Sequence, residues 1–173
     1  DASGAARTYV DTRGLTVGEV LAGGTISLEA NSGFVATAAG SRLRADGVAP
    51  VRLDLPDAAG GLGRAVGGDA GTLRIAAREG ALLDGILSAR AGDASLRGGG
   101  FEIALGNDVN PQGAGYPAAE RVLAVGQTPV PVVGDLAPGD ALPAALAGRA
   151  RVAADALMDA GFARIALTSR DAI

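Results

Sequence analysis

Short stretches in which apolar and polar residues alternate recur along this chain, and each follows a glycine or a small residue. Residues 24–30 read GTISLEA and residues 71–77 read GTLRIAA, with weaker versions at 101–105 and 163–167. Because successive side chains of a β-strand point to opposite faces, the alternation predicts strands with one apolar face. The repetition predicts several equivalent strands.

Two further short strands are predicted after each of the first two phrases, separated by turn-forming residues. After Thr25–Ala30 they are Phe34–Ala38 and Arg42–Ala45, and after the second phrase they are Ala81–Leu83 and Ile86–Ala91. Glycine, Asn, Asp and Ser between them favour tight turns. The pattern gives one coil of three strands in roughly twenty residues, a length typical of repeat architectures.

A strand with one apolar face must bury that face against neighbours, and stacked coils would align such faces into internal columns. The sequence therefore predicts an all-β protein, a right-handed parallel β-helix formed as a single unit over residues 1–173. An ordinary antiparallel β-protein with glycine turns is the alternative. Parallel or antiparallel strand pairing distinguishes the two.

Outside the coils the pattern is less regular. Strands are predicted at Arg7–Asp11 and within 15–21, whereas the glycine-rich residues 54–70 are predicted to loop out. Residues 106–160 contain repeated prolines, which interrupt sheet hydrogen bonding, and are predicted to be a loop-rich insertion. Short strands at 121–125 and 130–133, a helical turn at 141–146 and a helix at 155–161 are predicted within it. Because solenoid insertions hang from one edge of a coil, we expect its removal to preserve the fold, and we expect any contact surface to lie there.

Composition narrows the function classes. Apolar residues make up 48% of the chain but aromatic residues only 3%, which favours a narrow core of small and branched side chains. All 15 cationic residues are arginine, a usage typical of a GC-rich genome, and the net charge is −4. The absence of a basic run argues against nucleic-acid binding. The sequence shows no membrane-spanning stretch and no signal peptide, and its ends suggest a piece of a longer protein.

Histidine and cysteine are both absent. Zinc sites therefore lose their usual ligands, and disulfides and catalytic dyads or triads that need Cys or His are excluded within this chain. The sequence predicts no metal and no cofactor. Gly60–Gly63 resembles the start of a calcium-binding nonapeptide, but Arg64 stands where an aspartate is needed. Asn107–Asn110 offers oxygen ligands, yet a turn explains it better because the glycine and distal glutamate of a calcium loop are missing.

Carboxylate pairs were considered because glycoside hydrolysis needs two carboxyl groups across a cleft. Asp54 and Asp57 flank a proline, and Asp155 and Asp159 would share one helix face. Spacing alone does not place either pair in a cleft. The sequence therefore predicts no catalytic residue and no enzymatic activity.

Several arginines alternate with apolar residues and are predicted to line the outer faces of successive coils, interleaved with Glu29 and Glu79. A solvated face of mixed charge is the simpler interpretation. A ladder that recognises anionic glycans is the alternative, since guanidinium groups suit carboxylate and sulfate. The arginines concerned are Arg42, Arg44, Arg52, Arg74, Arg78 and Arg90.

Three long phrases resemble the repeat region of filamentous-haemagglutinin-like large exoproteins, which Gram-negative bacteria export by two-partner secretion. They are VDTRGLTVGEVLAGGTISLEANSGFV, APVRLDLPDAAGGLGRAVGGDAGTLRIAAREGALLDGILSARAG and GFARIALTSRDAI. The resemblance covers nearly the whole chain and includes no catalytic motif. It implies a segment of a β-helical shaft, downstream of the family's secretion domain.

The resemblance implies a secreted protein of the bacterial cell surface that acts in adhesion or biofilm contacts. Its expected partners are receptors or glycans on host or neighbouring cells, and an outer-membrane transporter during export. Two alternatives stay open: a glycan-binding or polysaccharide-cleaving β-helix, and the stalk of a contact-dependent growth inhibition toxin.

Overall fold

The computed structural model describes residues 1–56, 60, 62–106, 120–128, 134, 136–137, 140 and 143–173. These residues form fourteen strands, a short α-helix and one 3₁₀ turn at Ala144–Leu146. The all-β prediction is confirmed. The elements are β1 (Ala5–Val10), β2 (Thr16–Leu21), β3 (Thr25–Ala30), β4 (Phe34–Thr37), β5 (Arg42–Arg44), β6 (Val51–Pro56), β7 (Leu62–Val66), β8 (Thr72–Ala77), β9 (Gly80–Leu83), β10 (Ile86–Ser88), β11 (Gly99–Leu105), β12 (Val122–Gly126), β13 (Arg149–Ala153), α1 (Ala154–Asp159) and β14 (Phe162–Ser169).

Parallel pairing dominates the described sheets. One four-stranded sheet has the order β14-β11-β8-β3, a second has the order β12-β13-β9-β4, and β5 pairs with β10. All seven pairings within these sheets are parallel. Two hairpins, β1-β2 and β6-β7, are antiparallel. A mainly antiparallel arrangement is therefore wrong for the described residues.

The register of the first sheet aligns apolar side chains into rows across its four strands. Because each row faces the same side, these side chains, apart from Ile165 on the edge strand β14, pack in or against one core with residues of the second sheet. Leu73 and Ile75 lie in this core and Ile26 and Leu28 pack against it, in agreement with the apolar faces that the alternating phrases at 24–30 and 71–77 predict. One row consists of Ile26, Leu73, Phe101 and Ile165, and the next of Leu28, Ile75, Ile103 and Leu167.

Glycine before the alternating strands has a steric reason. A side chain at Gly71 would overlap the carbonyl oxygen of Gly24 in the preceding layer. A Cβ at Gly99 would lie 2.5 Å from the carbonyl oxygen of Gly71, closer than real Cβ atoms approach backbone. Backbone therefore passes close to backbone at these two positions, which explains glycine at 71 and 99.

Asp46, which follows β5, links the end of β5 to the end of β10. Its carboxylate accepts hydrogen bonds from Ser88 Oγ at 2.5 Å, from the Arg90 N–H at 2.9 Å and from Arg44 Nε at 3.1 Å. Burial raises the pKa of Asp46, but these hydrogen bonds and the Arg44 charge outweigh burial and hold the pKa below its usual value of 3.8. The ionised carboxylate is therefore part of the stacking.

The prediction that residues 54–70 loop out is wrong. Val51–Pro56 and Leu62–Val66 pair as an antiparallel hairpin in which Val51, Arg52 and Leu53 lie opposite Val66, Ala65 and Arg64. Asp54 Oδ2 accepts a hydrogen bond of 2.6 Å from the Thr16 N–H, which links this hairpin to β2 of the first one.

Residues within 106–160 contribute to the same core. Leu123 of β12, Ala150 and Val152 of β13 and Leu157 of α1 are all buried in it. The expectation that this segment can be removed without loss of fold is therefore wrong. The predicted strand at 130–133 lies outside the described residues, and of the predicted turn 141–146 the part 144–146 is a 3₁₀ turn. In the described ranges, no helix has the length and apolar character needed to cross a membrane.

One strand lies out of chain order. β12 pairs with the outer side of β13, although β12 comes first in the sequence. On its other side the Leu123 N–H donates to the Ala172 carbonyl oxygen at 3.0 Å, and the Ala172 N–H donates to the Arg121 carbonyl oxygen at 3.1 Å. β12 therefore lies between two segments that follow it in the chain.

Candidate functional site

The outward face of the sheet β14-β11-β8-β3 is the candidate site. Every second side chain along each strand points into the core. The side chains between them therefore point outward to solvent. The register places Ser27, Arg74 and Glu102 side by side on that face. Polar side chains from the three neighbouring strands β3, β8 and β11 therefore lie next to each other on one surface.

Glu102 lies between two guanidinium groups. Arg74 Nε donates to Glu102 Oε2 at 2.9 Å, and Arg164 Nη2 donates to Oε1 of the same carboxylate. The hydrogen bond from Arg74 is the largest effect on the pKa of Glu102 and, with the two positive charges, outweighs desolvation and lowers it. Glu102 is thus an ionised acceptor and is poorly suited to act as a general acid, which needs a raised pKa.

A shallow trough of about 380 Å³ runs along this face beside the charged cluster. Its walls carry the polar side chains of Glu29, Arg74 and Glu102, and Ser27 Oγ donates to Glu29 Oε1 at 2.9 Å. Its floor is made of small side chains, namely Ala76, Ala104 and Ala166. The trough is suited to an extended polar ligand held by hydrogen bonds and single charges.

A second concavity, of about 300 Å³, lies where α1 packs near β10 and β13. Leu83, Ile86, Leu87, Val152 and Leu157 give it mainly apolar walls. Charged side chains of Asp84, Arg90, Arg151 and Asp159 also line it. No feature of this cleft identifies a ligand chemistry.

The carboxylate pairs considered from sequence have structural contacts. Asp54 bonds the Thr16 N–H, while Asp57 lies outside the described residues. Asp155 lies in the first turn of α1, and its carboxylate accepts a hydrogen bond from the Gln127 side chain. The Asp159 carbonyl oxygen accepts a hydrogen bond of 2.5 Å from the Arg90 guanidinium. Asp159 lines the apolar cleft but Asp155 does not.

The glycine-rich motif at Gly60–Gly63 lies only in part within the described residues. Gly60 and Gly63 both have positive φ, of 82° and 104°, so turn geometry accounts for these glycines. Asn107–Asn110 lies outside the described residues. Within the described part of the chain, no three Asp, Glu, His or Cys side chains are grouped so as to hold a metal ion.

The six arginines of the alternative ladder are dispersed over several surfaces. Arg42 and Arg44 are exposed on β5, Arg52 lies on the β6 hairpin, and Arg90 follows β10. Arg78 is half-buried at the turn between β8 and β9. These residues do not form one row, and of the set only Arg74 lies in the trough.

Three residues of interest were missed by the sequence reasoning. The alternation of each strand puts Glu102 and Arg164 on the same outward face as Arg74. Aligning the repeated alternating stretches would therefore have placed the three side chains near each other. Arg121 is 2% exposed and its Nε donates to the Arg78 carbonyl oxygen at 2.6 Å. Its position beside Gly106 and Gly148 depends on contacts between distant segments, for which the local sequence holds no signal.

Comparison of the chain with protein families, with curated proteins and with solved structures found no match.

Proposed function

We propose that this chain is a structural segment of a secreted, adhesin-like bacterial surface protein, in which successive coils stack as a parallel β-helix. The observation that carries the proposal is the parallel, in-register stacking of β3, β8, β11 and β14, repeated in a second sheet around one core. Such stacking extends along one axis and gives a stiff element whose length grows with each layer.

The end layers support a place within a longer stack. Ile165 of β14 is 44% exposed although it belongs to the same row as Phe101, which is fully buried. At the opposite end, Ile26 and Leu28 of β3 are only half-buried. Apolar side chains are therefore partly exposed at both ends of the sheet. A further coil stacked on either end would bury them.

A tandem fusion of two copies of the chain tests the shaft. If coils stack across the junction, X-ray scattering will give a single rod and the melting temperature will exceed that of one copy, because neighbouring layers stabilise each other. A single copy carrying a flexible glycine-serine tail of equal length is the control. Two independently tumbling particles with an unchanged melting temperature would count against the shaft.

Adhesion is tested separately with beads that carry the chain at a fixed density. We expect the folded chain to raise bead attachment to epithelial cells or to a bacterial lawn, and the heat-unfolded chain to lose that effect. Equal attachment of beads coated with an unrelated acidic protein would contradict a direct adhesive role.

A second candidate is glycan binding without cleavage, favoured by the trough on the outward face. Arg74 and Glu102 place a donor and an acceptor over a floor of alanines, which suits hydroxyl and carboxylate groups of a saccharide chain. Arg74→Ala should abolish retention on a glycan array, while Arg42→Ala, on another sheet, should not. Equal retention of the two variants would exclude the trough.

A further inference from the structure

The first hairpin has one strand whose outer edge is exposed. β2 is held on its far side by the contact between Thr16 and Asp54, whereas β1 pairs only with β2 in the described part of the chain. All of β1 except Ala6 is exposed, and Tyr9 and Val10 are each 66% exposed. An exposed edge strand without proline or bulge is a template for pairing with another strand.

The hairpin register shows which backbone groups are available on that edge. The Asp11 N–H donates to the Leu15 carbonyl oxygen, so odd-numbered residues of β1 direct their N–H and C=O groups toward β2. Ala6, Thr8 and Val10 therefore direct theirs outward. A pairing strand must bond to these three residues.

We propose that β1 is an association surface for a second copy of this chain, paired antiparallel about a twofold axis at Thr8. Side chains at equal distances on either side of Thr8 complement each other when two copies of β1 pair in this way. Thr8 would lie opposite Thr8 of the other copy, Ala6 opposite Val10, and Arg7 opposite Tyr9. The first two are pairs of outward-bonding residues, as an antiparallel ladder requires.

Each cross-strand pair in this register is favourable. Arg7 over Tyr9 is a cation–π pair, and Ala6 with Val10 is an apolar pair on the opposite face. Arg7 also remains near Glu19, whose carboxylate lies 3.6 Å away on the same hairpin. If the register were shifted by two residues, Arg7 would no longer lie opposite Tyr9. One of the three hydrogen-bonded residue pairs would also be lost.

Sedimentation equilibrium of the full chain tests the association. We expect the mean mass to rise with concentration from 16.8 kDa to twice that value. Thr8→Pro removes an outward N–H that the hairpin does not use, so this variant should stay monomeric with an intact hairpin. Thr8→Ser keeps the N–H and should associate as the unmodified chain does.

Spin labels test the register without relying on the proline variant. The chain has no cysteine, so Thr8→Cys and Arg13→Cys each give a single labelling site. Labels at position 8 should be in close contact, whereas labels at position 13, in the turn beyond the end of β1, should lie far apart at opposite ends of the paired strands. A monomer at all concentrations, a Thr8→Pro dimer, or adjacent labels at position 13 would each overturn the proposal.

Discussion

Replacing Ile103 by alanine tests whether the central strands form one shared core. Ile103 is 1% exposed on β11, with β8 on one side and β14 on the other. Ile165 on β14 is the same residue type in the neighbouring strand but is 44% exposed. The pair of variants Ile103→Ala and Ile165→Ala therefore removes identical atoms from two depths of one sheet.

The expected magnitude for each variant follows from burial. Ile103→Ala removes three carbon atoms worth about 0.8 kcal/mol each on transfer from water, or about 2.4 kcal/mol together. The cavity adds to this, because neighbouring strands hold the backbone in place, and we expect a total loss of about 3–4 kcal/mol. Ile165→Ala loses roughly half of the transfer term and leaves no closed cavity, so we expect about 1 kcal/mol.

Urea unfolding followed by circular dichroism measures both losses. The slope of unfolding free energy against urea should stay the same in both variants, so that the midpoint reports stability alone. Equal losses for Ile103→Ala and Ile165→Ala would refute the shared core, because they would mean that both side chains have similar surroundings.

Three further predictions follow from single contacts. Gly71→Ala should lower the melting temperature strongly because its Cβ meets backbone, whereas Gly100→Ala meets only a side chain and should have a small effect by the same measurement. The lowered pKa of Asp46 means that its contribution to stability is complete above 3.8 and is lost as pH falls through the lower folded-state value; Asp46→Asn should flatten the acid limb of melting temperature against pH. Arg74→Gln should move the pKa of Glu102 upward toward 4.5 in a carboxyl-carbon NMR titration, and an unchanged pKa would show that the ion pair does not form in solution.

Local pattern predicted the strands of the stack well, because alternation and glycine turns act within a few residues. β3 was predicted with its observed bounds, and β4 and β8 each differ from prediction by one residue. The prediction is wrong at the β6-β7 hairpin, because the glycines and the proline of 54–70 favour a loop and residues 62–66 lack the alternation that marks the other strands.

The candidate site depended on information that is not local. The cluster of Arg74, Glu102 and Arg164 comes from strands that are far apart in the sequence, and it forms only once their register is set. The position of β12 outside β13 could not be predicted either, since proximity in sequence favours the reverse order of layers.

The displaced strand has a consequence for the order in which the molecule assembles. When a chain emerges from its amino-terminal end, the parallel pairs β3-β8, β4-β9 and β5-β10 can form as soon as both strands of each pair have appeared. β12 must wait, because its inner neighbour β13 begins at Arg149 and its outer neighbour includes Ala172. The pairing of β12 therefore forms late, and a chain that ends before residue 149 would lack both partners of β12 and leave Leu123 uncovered.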